Sequence, residues 1–199
     1  MKHIKNKIIK LICIFYGLFI FSFNLYAENI SDFEIEDMSI GDSLLNFYSK
    51  NEILKNQLDI YKDKSFKVSR FIDKSLSNFD ELYIHYKNND NNFIIESIDG
   101  AIPYVNDMEQ CNSKKNQIYA EINQLFKNQK WETAEYEDAD GIFISKYLIL
   151  SSGASIGIQC YDWNNRIETE YNYYDHLRLS LSSQEFQYWI DYVEDNLVN

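Results

Sequence analysis

The sequence predicts an α+β domain: an antiparallel sheet built from hairpins, with helices packed on one face. Three observations predict it. Segments with period-two alternation come in adjacent pairs around turn residues, as at 81–98 and 141–161. Segments with apolar residues at helical spacing lie between these pairs, so the strict strand–helix alternation of a parallel doubly wound sheet is missing. The composition, 45% hydrophobic and 16% aromatic, supplies a packed core and argues against wholesale disorder. The expected order is α-βββ-α-βββ-α, which suggests a duplication that residue identity between the halves is too low to show.

The elements follow in order. Ser39-Ile40-Gly41-Asp42 has the shape of a capping box, and Ser49-Lys50-Asn51-Glu52 has the same shape with Glu at its end. With Ile40, Leu44, Phe47, Ile53, Leu54 and Leu58 as apolar stripes, residues 40–60 read as helix, corner, helix. Phe66 to Ile72 reads as a strand. Glu81 to Lys87 alternates Leu82, Ile84 and Tyr86 against Glu81, Tyr83, His85 and Lys87, and the Asn-rich turn at 88–92 returns the chain into Phe93 to Ile98. Asp99-Gly100 is expected to stop that strand. Cys111 to Lys127 carries a helical stripe of Ile118, Ile122, Leu125 and Phe126. Trp131 to Asp140 reads as acidic and irregular, with room for a short strand. Gly141 to Leu150 and Ala154 to Tyr161 make a second hairpin around Ser151-Ser152-Gly153, and Asp162 to Asp175 is a polar, Tyr-rich excursion. His176 to Leu181 is a strand with its leucines on one face. Ser182-Ser183-Gln184-Glu185 caps a last helix with the stripe Phe186, Trp189, Ile190 and Val193.

Residues 1–27 read as a cleaved signal peptide ahead of a single domain at 28–199. Lys2, Lys5, Lys7 and Lys10 precede the apolar run Leu11 to Phe23, and Leu25-Tyr26-Ala27 ends on a small residue. The run is too short for a membrane span, which needs about 20 predominantly apolar residues. Cys13 sits inside it and lacks the placement of a lipid-bearing cysteine. The expected location is therefore periplasmic or secreted, with no stable membrane span after cleavage.

The leader carries basic residues only, so the remainder is more acidic than the whole chain, whose net charge is −12. Such a surface repels phosphate backbones and anionic lipid, which excludes nucleic-acid binding. Cys111 and Cys160 remain, an even number in an exported chain, and one disulfide is expected. Cys111 lies seven residues before Ile118 on the helical stripe, and Cys160 alternates with Ile156 and Ile158 on a strand face, so both sulfurs point to a core. Two isolated cysteines give no metal-site spacing. The run Glu135, Glu137, Asp138 and Asp140 does not fit a calcium loop. No metal and no cofactor are expected.

His85 and His176 are the histidines left after the leader. A hydrolase needs such a base beside a nucleophile and an orienting acid, and there is no Gly-x-Ser-x-Gly elbow. His85 is expected to be an exposed cross-strand residue. The segment Cys160-Tyr161-Asp162-Trp163 with Tyr171, Tyr173 and Tyr174 is the best surface candidate, since aromatic rings near polar groups can hold a sugar or a peptide.

Residues 35–48 add a resemblance. Met38, Ser39 and Asp42, followed by apolar residues, resemble the opening of the small lipoproteins of the outer-membrane barrel assembly machine and of the β-lactamase inhibitor proteins, with Asp37 where those groups show glycine. The resemblance implies helices on an antiparallel sheet and a binding or scaffolding role. The whole chain is similar to a family of short exported bacterial proteins with the Met-Ser-Ile-Gly-Asp-Ser-Leu-Leu opening and a Cys-Tyr-Asp-Trp segment, a likeness that implies no activity. The expected role is an exported binding or scaffolding module of the bacterial envelope, with an envelope protein or peptide as partner. The alternatives are a small envelope hydrolase using His85 or His176 with neighbouring carboxylates, and an extracytoplasmic protein inhibitor.

Overall fold

A computed structural model describes residues 29–73, 75–126 and 129–198. The proposed leader, with Cys13 and its cleavage site, lies outside them. The fold is mixed α and β and is dominated by one eight-stranded antiparallel sheet. Its strands are β1 (Gln57–Leu58), β2 (Phe66–Ile72), β3 (Glu81–Lys87), β4 (Ile95–Pro103), β5 (Glu132–Glu137), β6 (Gly141–Ile149), β7 (Ser155–Trp163) and β8 (His176–Ser182). They lie in the order β1-β2-β3-β4-β8-β7-β6-β5. Two four-stranded meanders thus meet through the β4–β8 pair, where Ile98 lies opposite Leu181.

The described residues hold eight strands, where six were expected with room for a short one at 131–140. β1 replaces the end of the expected second helix, and β5 forms in the acidic stretch before Gly141. β5 is a sheet edge with Glu132, Glu135 and Glu137 exposed, charges that discourage edge-to-edge pairing with another chain. β4 also runs through Asp99-Gly100. A Cβ at Gly100 would sit 2.5 Å from the Phe79 ring, so glycine there marks a close approach of an aromatic ring, not a stop.

The helices are α1 (Lys50–Lys55), α2 (Met108–Leu125), α3 (Asn165–Tyr171), α4 (Gln184–Trp189) and, after a π turn at Ile190–Glu194, α5 (Asp195–Val198). α1 carries the expected capping box between Ser49 and Glu52. Ser39 caps nothing. Its backbone N–H donates to Asp42 Oδ2 at 2.9 Å within a turn, and residues 44–46 form only a short 3-10 turn capped by Ser43. No described helix is long and apolar enough to cross a membrane.

One face of the sheet is the apolar core. Leu82, Ile84, Ile98, Leu148, Ile156 and Leu181 are buried there under Ile35, Met38, Leu44 and Ile53 from the N-terminal segment. α2 covers β7 and β8 on the same face, where the disulfide Cys111–Cys160 ties it to the sheet. The expectation of helices on one face is corrected. α4 lies on the opposite face, where Phe186 and Trp189 pack on Phe66 of β2. Asp63 accepts from Trp189 Nε1 at 2.8 Å, and Glu194 accepts from the Lys62 and Asp63 backbone N–H groups at 2.7 and 2.8 Å. These bonds fix the C-terminal turns on the 61–63 segment.

Candidate functional site

The second face of the sheet is unlike the first. Across its middle the cross-strand rows carry small or polar side chains. One row runs His85, Ser97, Ser182, Ser155, and the next runs Tyr83, Asp99, Ser180, Gly157. A third runs Ala101, Arg178, Gln159. Small side chains cannot fill the space above them, whereas the large side chains around them can wall it. The result is a groove of about 990 Å³. α4 closes one end, where Lys87 Nζ meets Glu185 at 2.6 Å. The 171–174 segment closes the other, where the Tyr174 phenol lies against Glu81 and is raised by burial and by that carboxylate.

Arg178 is central to the floor. Its guanidinium Cζ lies 4.6 Å from the centroid of Tyr161, and Tyr161 stacks in turn on His176 at 4.6 Å with an interplanar angle of 9°. Arg178 Nε is buried and has no hydrogen-bond partner among the described residues. Asp99 Oδ2 lies 3.9 Å from Nη1, close enough to balance its charge but beyond hydrogen-bond length. Burial alone would raise the Asp99 carboxyl. His85, Arg178 and Ser180 outweigh burial and hold it below the ordinary carboxylate range. At the Glu81 end, Arg70 forms a two-pronged pair with that carboxylate at 2.8 and 2.7 Å, and Tyr83 donates to it at 3.0 Å.

The two histidines both line the groove. His85 is 5% exposed, which corrects the expectation of an exposed residue. Its face of β3 is roofed by Phe186, with ring centroids 4.8 Å apart, and by Tyr61. Its Nδ1 bonds the Tyr61 hydroxyl at 2.6 Å and its Nε2 faces Asp99 Oδ2 at 3.4 Å. Both ring nitrogens are therefore engaged by the protein. Burial and then the Asp99 charge hold the Tyr61 phenol far above its ordinary value, so it is a poor nucleophile. His176 donates from Nδ1 to the Tyr174 carbonyl at 2.8 Å, leaving Nε2 as an acceptor. Burial, and next Arg178, push it down to about 4, so the ring is neutral near pH 7.

Trp163, Tyr171, Tyr173 and Tyr174, singled out from the sequence, all line the groove. Tyr171 and Tyr173 are rim residues, 58% and 50% exposed, and Trp163 Nε1 is buried without a partner among the described residues. Asp175 is a structural pin. Its carboxylate accepts from the Asn106 and Trp163 backbone N–H groups, each at 2.9 Å, and so holds the excursion against the end of β7. The sequence reading missed Arg178, Asp99, Tyr61 and the small-residue floor. Its available signal was the second half of each alternation, notably Arg178, Ser180 and Ser182 between leucines.

The acidic residues at 135–140 form the β5–β6 hairpin. Asp138 Oδ1 accepts from the Asp140 and Gly141 backbone N–H groups, and Asp140 pairs with Arg166 at 2.5 Å. Among the described residues, no three His, Cys, Asp or Glu side chains converge as a metal site. No family model, curated protein or solved structure matches the chain.

Proposed function

We propose that this chain is an exported binding module of the bacterial envelope, and that the groove face of its sheet holds a small polar ligand. The observation that carries the reading is the Arg178 guanidinium. About a third of the Arg178 side chain stays exposed in the groove, and its carboxylate neighbour Asp99 lies beyond hydrogen-bond length, so the outer guanidinium nitrogens are placed to donate to a bound acceptor. The groove volume lies within the range of about 300–1,000 Å³ typical of small-molecule sites. Export rests on the 1–27 segment and on a disulfide, a bond favoured in oxidising compartments.

The test is chemical-shift mapping on the labelled mature protein, using the low-molecular-mass fraction of the extracytoplasmic milieu. The reading expects shifts at the Trp163 indole and at Ser180 and Gly157, with the α2 face silent. Shifts confined to the α2 face, or none, overturn it.

A second reading, a small hydrolase, draws on the Tyr61–His85–Asp99 chain. It gains from their proximity and loses because neither ring nitrogen of His85 is left for a substrate. Turnover of a groove-bound ligand that disappears in His85→Gln, with binding retained, would establish the hydrolase; binding without turnover would discard it.

A further inference from the structure

We infer that the ligand of this groove is an uncharged oligosaccharide, a conclusion that rests on the binding reading above and narrows it. Charge is the first argument. The fixed charges of the floor cancel in pairs, Arg70 with Glu81 and Arg178 with Asp99. The chain holds 31 acids against 19 basic residues, and Asp191 adds a carboxylate at the groove wall. An anionic ligand therefore finds no unbalanced cation and meets a repulsive field. A cationic one finds the Arg178 guanidinium in its way.

Hydrogen-bonding chemistry is the second argument. The outer Arg178 nitrogens are donors, whereas His176 Nε2 and Asp99 are acceptors. Hydroxyl groups, which donate and accept at one atom, suit such a mixed set. An extended peptide docks by pairing its backbone with a free strand edge. This floor offers none, because β4, β8 and β7 are paired on both sides.

Shape is the third. Tyr83 and Tyr147 border the small-residue floor, with Trp163 and Tyr173 at one wall. Such rings pack against the C–H faces of a pyranose at little entropy cost. The volume of about 990 Å³ exceeds what a single sugar ring needs, so more than one ring is accommodated.

The experiment follows the Trp163 indole resonance of the mature protein during titration. The probes are neutral trisaccharides built from glucose, galactose, mannose or N-acetylglucosamine, with trigalacturonate and a capped neutral tripeptide as controls. The inference expects at least one neutral trisaccharide to bind. Arg178→Met should weaken it by at least about tenfold through loss of charge-assisted hydrogen bonds. Tyr173→Ala, at an exposed rim position, keeps the fold and should weaken it as well. Binding of trigalacturonate or the tripeptide alone overturns the saccharide assignment and leaves the binding reading standing. A groove silent to every probe and to the milieu fraction overturns both. Sugar binding indifferent to Arg178→Met and Tyr173→Ala places the sugar elsewhere and overturns the inference.

Discussion

Arg178 and Tyr161 occupy neighbouring strands, and the guanidinium Cζ lies over the phenol ring, 4.6 Å from its centroid. Tyr161 is 8% exposed, with His176 stacked against it and its hydroxyl donating to Gln159 at 2.6 Å. The ring is therefore packed on its neighbours, and the guanidinium lies over it. Cys160, the preceding residue, points to the other face and is bonded to Cys111 of α2. One strand thus anchors the core and carries the central platform of the groove on consecutive residues, as the two-residue period of a strand requires.

The neutral state of His176 has a consequence for acid stability. An unfolded histidine takes up its proton near pH 6.5, whereas the folded ring resists until about 4. Above the upper value neither form is protonated and folding is unaffected. Between the two values the unfolded chain gains a proton that the folded chain refuses, so stability is lost as pH falls. From pH 7 to pH 5 the loss from this residue is about 2 kcal/mol. His176→Asn, which keeps an amide donor for the Tyr174 carbonyl, should remove it. Carboxylates contribute equally to both proteins, so the difference between their urea-unfolding curves at pH 7 and pH 5 isolates the ring. Parallel acid limbs would show that His176 is not held neutral.

Gly100 faces the apolar core directly beneath Phe79. Gly100→Ala should cost about 1–3 kcal/mol, because the new methyl must displace the aromatic ring. In a Phe79→Leu background the same substitution should cost less, since the obstructing ring is gone. Denaturant midpoints of the four proteins measure the coupling. Additive losses would locate the strain in the backbone and not in the ring.

The core half of each strand was legible in the sequence and the groove half was not. Leu177, Leu179 and Leu181 announce one face of β8 by simple alternation. Arg178, Ser180 and Ser182, between them, read as ordinary solvated positions, because nothing local reveals that β4, β8 and β7 lie side by side. Only that adjacency turns scattered serines and a glycine into a continuous floor. His85 was misread for a related reason. Its cover comes from Phe186, about a hundred residues away in the chain. The disulfide was legible because both cysteines carry a periodic pattern of their own. The end of β4 was not, because Gly100 looks like a stop until the Phe79 ring is seen above it.

The Cys111–Cys160 disulfide links residues 49 positions apart in the chain. Replacing both cysteines with alanine should lower stability by about 4 kcal/mol in the chain-entropy model. Because α2 grips the face opposite the groove, the loss should appear in the unfolding midpoint while the Trp163 indole resonance of the folded protein stays in place. A double variant with an unchanged midpoint would mean that α2 docks without its tether.

Lys115 lies one helical turn after Cys111 and is 2% exposed, with Nζ donating to the Ile144 carbonyl at 3.3 Å. Burial, and then the charge of Lys146, depress it to about 8. An unfolded lysine keeps its proton until about pH 10.4. Below the folded value both states are charged and the full cost of burying the ammonium falls on the folded protein. Between the two values the unfolded chain binds more protons, so stability rises with pH. Lys115→Met keeps the aliphatic stem and removes the charge. It should therefore be more stable than the parent by about 2 kcal/mol at pH 7. That advantage should shrink as pH climbs from about 8 toward 10. Thermal unfolding of both proteins across that range gives the answer. A constant gap between them would assign the gain to packing, and a less stable variant would mean that the bond to Ile144 outweighs the buried charge.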